Sequence, residues 1–318
     1  MITRISTISM QNNLINQIAN NQNKYYELQN QALTGNKINS ITDDPTGAAK
    51  IIILANGLSK IESYQKNVSA AQGEYEIMDS TLATVVDRLQ RLNELANQAA
   101  NEYNTPENLQ AIKSEITSIK DTIVTLSNTQ YMDMYIFSGT NTNTNAFTLN
   151  DDGTITYNGT PQTGEYKRQL EVADDTYLTL NASGDSVFGS YDMATKTGSG
   201  IFQTISELEA ALDVASSADA TTSAEGFAKI RESINSVHAD IENVTGIRSR
   251  YGTYAQKADM SANSLEENNI LMEGDLSKIK DVDLVEVYSG LISQQYALQA
   301  SMQVGAMTLQ QNSLLNYI

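Results

Sequence analysis

Cysteine and tryptophan are absent from the 318 residues, and histidine occurs once, as His238. Without cysteine there are no disulfides and no thiolate metal sites. A lone imidazole without a thiol supplies neither a histidine-based triad nor a catalytic zinc set, so His238 reads as a rim histidine beside the apolar position Val237. Only three prolines interrupt the chain, which leaves room for long helices. Basic residues are scarce as well: 20 Lys and Arg face 38 Asp and Glu, for a formal net charge of -18. A chain with no basic excess cannot displace many counterions from a phosphate backbone, which argues against a nucleic-acid partner. The most apolar run, Ile51 to Ala55, is far shorter than the ~20 residues needed to span a bilayer, so no membrane insertion is expected. The beginning, MITRISTISMQNNLINQIANN, lacks the apolar block of a general secretory signal. No phosphate-cradling glycine loop, HExxH or GxSxG pattern occurs, and neither a cofactor nor a metal is expected.

What the chain does have is a seven-residue apolar repeat in three separate segments. In the first, Ile61, Val68, Tyr75, Leu82, Leu89, Ala96 and Tyr103 recur every seven residues. Tyr64, Ala71, Met78, Val85, Leu92 and Ala99 follow the first six at a distance of three. Leu109, Ile112, Ile116, Ile119, Ile123 and Leu126 keep the same alternation in the second. The third runs Phe227, Ile230, Ile234, Val237, Ile241 and Val244, then Arg248, Tyr251, Ala255, Ala258, Ala262 and Leu265. Sustained 3–4 spacing predicts packed, supercoiled helices. The first of them is expected to run from Pro45 to about Tyr103. Asn104-Thr105-Pro106-Glu107 would end it and cap an antiparallel neighbour.

Between Gly139 and Gly200 the period changes to two. NTNTNAFTLNDDGTITYNG alternates around Asp152-Gly153, a two-residue hairpin signal; Asp151-Asp152 and Asp174-Asp175 read as turn residues. YKRQLEV and DTYLTLNA read as further strands and SGDSVFG as a turn-rich edge. A short helix follows from Ile201 to Leu212, with Ser206-x-x-Glu209 in capping-box spacing. Both extremities of the chain are helical. Ile8, Ile15, Ile18, Tyr25 and Leu28 mark one stripe, and Leu284, Leu291 and Leu298, accompanied by Tyr288, Met302 and Leu309, the other. Gln11, Gln22, Gln295 and Asn316 dilute them. Such stripes bury too little apolar area to offset the entropy of ordering an isolated pair. The ends are therefore expected to be mobile alone and to order against neighbouring subunits.

The predicted fold class is mainly α with an inserted small β domain, a long antiparallel coiled-coil helix rod built from both ends of the chain. Residues 1–42 and 276–318 form terminal helices, 43–138 and 201–275 the rod, and 139–200 the β domain. The stretch TGNKINSITDDPTGAAK interrupts the helices where the first two of these meet. Gly35 can close one helix in the left-handed conformation. Asp44 can cap the next, with Pro45 at its first position. Capping explains Asp43 and Asp44 with less than a cation site would need.

That stretch resembles the N-terminal motif of the bacterial flagellin family, S-G-x-x-I-N-S-x-x-D-D-P-A-G. Gly35, Ile38, Asn39, Ser40, Asp43, Asp44, Pro45 and Gly47 match it, with Thr34 in place of Ser and Thr46 in place of Ala. DLVEVYSGLISQQYALQASMQVGAMTLQQNSLLNYI resembles the family's C-terminal helix, including its closing Leu314 and Leu315. TGIRSRYGTYA is similar to the stretch ahead of that helix. Three passages, RISTISMQN, YIFSGTNTNTNAF and GDSVFG, narrow the resemblance to the branch that joins hook to filament.

The resemblance implies a structural, non-enzymatic part of the extracellular flagellum: a ring that assembles with itself, with another hook-associated protein and with flagellin. It further implies export without a cleavable signal, aided by a cytoplasmic chaperone bound near the C-terminus. The apolar residues of the two terminal stripes, with Leu314 and Leu315, would carry assembly. Gly35, Asn39, Asp43, Asp44, Pro45 and Gly47 would form a joint between layers. Arg248 and Arg250 are candidate subunit contacts; the competing reading is a solvated helix face with Arg248 snorkelling from a core position. A filament subunit, or an adhesin displayed on a helical stalk, are the alternative functions.

Overall fold

A computed structural model describes the backbone of residues 2–150, 152–160, 168–180 and 183–315, and the side chains of those between 9 and 307. Seven helices and eight short strands follow one another among these residues. They are α1 (Ile2–Thr34), α2 (Pro45–Ala99), α3 (Pro106–Ser127), β1 (Gln130–Tyr131), β2 (Met134–Tyr135), β3 (Phe147–Leu149), β4 (Ile155–Tyr157), β5 (Gln169–Ala173), β6 (Thr176–Thr179), α4 (Gly184–Phe188), β7 (Ser190–Asp192), β8 (Thr197–Ser199), α5 (Gly200–Ala215), α6 (Ala220–Lys280) and α7 (Leu284–Leu315). The fold is mainly α with a small inserted β part. Two compact units divide it, Met1–Ile61 with Glu267–Ile318, and Glu62–Glu266.

The Glu62–Glu266 unit holds the core. Val68, Ala71, Tyr75, Met78, Leu82, Val85, Leu89 and Leu92 are all buried along α2, so the 3–4 pattern does mark the packed face there. Across the seam α6 runs antiparallel, with Gln72 donating to Asp259 at 2.7 Å and Gln65 to Glu266 at 3.2 Å. Thr105 caps α3 by accepting from the Asn108 N–H, with Pro106 at the first helical position. Its Leu109, Ile112, Ile116, Ile119 and Ile123 are buried. Arg91 ties α2 to Glu115 of α3 at 2.8 Å.

Several expectations need correction. Helix α2 stops at Ala99, and Tyr103 is 94% exposed; the Asn104 side chain donates to the Gln98 carbonyl and ends the helix one turn early. The short helix, α5, runs on past Leu212 to Ala215. Lys120 and Lys113 on α3 pair with Glu209 and Asp213 on α5, each at 2.5 Å. On α6 the positions Ser233, Asp240 and Ile247, seven apart, are buried where the apolar repeat pointed to Ile234 and Ile241. Ser206 lies inside α5, which begins at Gly200, so it is a buried helix residue and not a cap.

The β part is three separate pieces. β1 and β2 pair with each other, β5 and β6 pair with each other, and a four-stranded antiparallel sheet has the order β3-β4-β7-β8. Phe137, Phe147, Phe188 and Phe202 make its aromatic centre, with ring centroids 5.1 to 6.1 Å apart. GDSVF is a short helix, α4, that delivers Phe188 to this cluster. The β3–β4 turn is longer than the two residues expected. Asn150 bonds to Thr154, and Gly153 takes φ +87 and returns its N–H to Asn150. Asp174-Asp175 is the two-residue turn, with Asp175 at φ +57.

Asp240 is buried on α6 with one carboxylate oxygen lacking any partner. Burial raises its pKa above the ordinary carboxylate range, partly offset by the Thr204 hydroxyl. The folded chain therefore holds this proton more tightly than the unfolded chain. The penalty of the charged form is present at neutral pH and is relieved as pH falls through the raised value. Asp240→Asn is expected to stabilise the chain by about 1 kcal/mol at pH 7. In melting curves recorded across pH, that advantage should fade as pH drops into the ordinary carboxylate range.

Candidate assembly surface and joint

Every residue singled out in the joint has a local physical task. Gly35 sits at φ +70 and its N–H returns to the Gln31 carbonyl at 2.9 Å, which closes α1. A side chain is strained in that region of backbone space, and glycine is not. The Asp43 carboxylate gathers two backbone donors, Asn39 N–H at 3.1 Å and Ser40 N–H at 2.8 Å. Asn39 in turn donates its side-chain amide to the Asn36 carbonyl. Asp44 accepts from the Thr46 N–H at 3.0 Å and caps α2, with Pro45 at the first helical position where no N–H is needed. Gly47 lies where a Cβ would collide with the Ile38 side chain and the Asp44 carboxylate. The absence of that Cβ lets Ile38 fold back over the start of α2.

The second chain passage breaks at the same level. Between α6 and α7 there are only Asp281, Val282 and Asp283. Lys37 N–H donates to the Lys280 carbonyl at 2.6 Å, and Val282 N–H donates to the Gly35 carbonyl at 3.1 Å. Asn36 and Asp281 thus form an antiparallel bridge. Asp283 then caps α7 through the Val285 N–H at 2.9 Å. This cross-chain clasp was not legible in the sequence, because its halves lie more than 240 residues apart.

Beyond the clasp α1 and α7 pair along a seam that is partly polar. Gln11, Leu14, Ile18, Asn21, Tyr25 and Leu28 face inward on α1, and Val287, Leu291, Gln294, Leu298, Ser301 and Gly305 on α7. Gln294 donates to the Asn21 carbonyl at 3.1 Å, and Asn21 donates to the Ser301 hydroxyl at 2.8 Å. An apolar-only reading of the stripe misses Asn21, Gln294 and Ser301. The signal that finds them is unbroken 3–4 spacing with polar residues admitted. Ile18, Tyr25, Leu28, Leu291 and Leu298 therefore lie in the seam, whereas Ile15, Leu284 and Met302 lie outside it, exposed by 62%, 47% and 49%. The side chains of Ile8, Leu309, Leu314 and Leu315 fall outside the described residues.

This unit hides little of its apolar surface. Of its described apolar side chains only Ala48, Ile61 and Val287 are buried. Tyr288, Ile292 and Tyr296, spaced by four, form an outward stripe on α7 and are each more than half exposed. A groove of about 410 Å³ opens beside Leu14, Ile15, Ile18 and Met302. Ile52, Ile53, Ile270 and Leu271 are also exposed. Large exposed apolar side chains are thus found on α1, α2, α6 and α7 of this unit. Arg248 forks onto Asp79 through Nε and Nη2 at 2.6 and 3.1 Å, while Arg250 is exposed. His238 is exposed on α6 with Nδ1 beside the Ile234 carbonyl. Among the described residues no cluster of His, Cys, Asp and Glu could hold a metal, and no helix is long and apolar enough to cross a membrane.

Comparison with known proteins puts names beside this geometry. Residues 5–142 match the bacterial flagellin N-terminal helical region. The chain is 25% identical over 308 residues to flagellar hook-associated protein 3 of Salmonella typhimurium, covering 94% of both chains. It is 26% identical over 317 residues to flagellar hook-associated protein 3 of Escherichia coli, again covering 94% of both. In fold it is similar to a putative flagellar hook-associated protein from Vibrio parahaemolyticus, with a TM-score of 0.63 and 21% identity, over 75% of this chain and 100% of that one.

The joint is open to a direct check. Gly47→Ala should cost roughly 1 to 3 kcal/mol by forcing Ile38 and the Asp44 carboxylate apart. Hydrogen exchange at the Lys37, Asn39 and Ser40 amides should accelerate, while amides of α3 keep their protection.

Proposed function

From the match of residues 5–142 to the flagellin N-terminal helical region and the likeness to hook-associated proteins along 94% of the chain, we infer that it is a structural component of the bacterial flagellum, built into the junction between hook and filament. The observation that carries this reading is the contrast within one unit. The joint is closed by a full set of backbone and side-chain bonds, yet the helices it carries leave their apolar faces open. A surface ordered in this way and left uncovered suits association with other flagellar parts.

In finer detail, the chain assembles as a ring through α1 and α7, against copies of itself, a second hook-associated protein on the hook side and flagellin on the filament side. Ile15, Leu284 and Met302, outside the seam, supply contacts between copies, and Ile18, Tyr25, Leu28, Leu291 and Leu298 hold the pair together. The 1–42 and 276–318 segments act as the inner layer, 43–138 with 201–275 as the helical layer, and 139–200 as the outer part. The joint from Gly35 to Gly47 sets how the first two meet. Arg250 is the more available of the two candidate contact arginines, since Arg248 is engaged by Asp79. The protein performs no catalysis. Before it reaches the outside, a cytoplasmic chaperone covers the C-terminal helix. A role as filament subunit has less behind it, because the whole-length likeness favours hook-associated proteins.

Deleting the gene should leave hooks without attached filaments in electron micrographs; normal filaments would defeat the reading. A sharper version changes only the outward stripe. Ile292→Asp with Tyr296→Asp should leave the melting temperature within a few degrees of the parent, since exposed positions contribute little to the monomer. The same cells should shed their filaments and lose swimming.

A further inference from the structure

Among the described residues the β5–β6 hairpin hydrogen-bonds to no other strand, yet Val172, Leu178 and Leu180 are buried. What holds it is α2. Tyr64 donates its hydroxyl to Asp174 at 2.9 Å, Asn67 donates to the Glu171 carbonyl at 2.8 Å, and Tyr75 donates to the Thr179 carbonyl at 2.6 Å. The carboxylate of Glu74 pairs with Arg168 at the start of the hairpin. Residues 64, 67, 71, 74 and 75 share one helix face by their spacing. The hairpin therefore lies across about three turns of α2, tied down along both strands.

Glu74 is the unusual member of the set. Its side chain is 3% exposed and that of Arg168 20%. One of its two oxygens, Oε1, has no hydrogen-bond partner. Burial raises its pKa, and Arg168 opposes that shift. A carboxylate this buried and satisfied at one oxygen depends on its cation, since loss of Arg168 would strand the Glu74 charge away from water. Such a contact does not loosen gradually. It is made or broken, and with it the register of the hairpin on the helix.

We propose that β5–β6 is a strap that opens from α2 as a unit, independently of the four-stranded sheet, with the Glu74–Arg168 pair as its latch. Opening would uncover Val172 and Leu178 on the strap and Ala71 on α2, giving the helix a second apolar surface while β3-β4-β7-β8 stays intact. Val172 falls at the irregular pairing between Glu171 and Ala173 and is the buried residue of β5.

The absence of cysteine makes the full chain suited to thiol labelling. Val172→Cys reports on the strap and Ile155→Cys, equally buried in β4, reports on the sheet. Under native conditions the thiol at 172 should react at least tenfold faster than the one at 155. Adding Glu74→Gln should speed labelling at 172 by a further tenfold and leave 155 unchanged. Arg168→Met, which strands the Glu74 carboxylate, should speed it likewise, and Glu74→Met with Arg168→Met should return the slow rate, because no buried carboxylate is left unpaired. Hydrogen exchange in the cysteine-free chain gives a second reading: Glu74→Gln should expose the amides pairing Leu170 with Leu178, and not those pairing Phe147 with Tyr157. Equal rates at the two positions, a joint rise at both, or no response to Glu74→Gln overturns the proposal.

Discussion

The lengthwise burial of α2 against α6 is the contact on which the Glu62–Glu266 unit depends. Helices of 55 and 61 residues are not stabilised by propensity alone; within this unit they persist because one face of each is taken out of water, from Val68 to Ala99 on α2 and from Phe227 to Leu265 on α6. Everything else in that unit is applied to this pair. α3 adds a third apolar stripe, α5 seals the far side with paired charges, and the aromatic cluster under the sheet rests on α5 through Phe202. Polar cross-links such as Arg248–Asp79 and Gln72–Asp259 contribute less energy than register. They fix which turn of one helix meets which turn of the other.

The unit formed by the chain ends obeys a different rule. Its order comes from backbone geometry: a left-handed glycine, a carboxylate that collects amides, a cap, a proline at the first helical position and a clasp between distant residues. Apolar burial contributes little there. A segment can thus be shaped without being covered, which is the condition a subunit must meet if neighbours are to complete it.

How much of this was legible follows from the range of each interaction. The core face of α2 was readable because no polar residue interrupts its repeat from Val68 to Ala99. The caps at Asp44-Pro45 and Thr105-Pro106 were readable because capping is settled within four residues. The seam of α1 and α7 was read only in part, since Asn21 and Gln294 satisfy each other across it, and no single-helix pattern reveals a pairing between helices. Burial of Ser233 and Asp240 depends on α5 packing nearby, which the repeat on α6 alone does not encode. Helix α4 is five residues long and begins with glycine, too brief for periodicity. The independence of β5–β6 from the sheet was equally hidden, for strand alternation says that a face is covered and not by what.

The antiparallel packing of α3 and α5 has a consequence for architecture. α3 ends at Ser127 and α5 begins at Gly200, and Lys120–Glu209 and Lys113–Asp213 hold the two helices side by side. The polypeptide therefore leaves the helical bundle and re-enters it at adjacent points, like a drawer in a fixed frame. Length can therefore be added at exposed turns between those points without altering the spacing of the helices behind them, provided the aromatic cluster on Phe202 and the ties to α2 are kept.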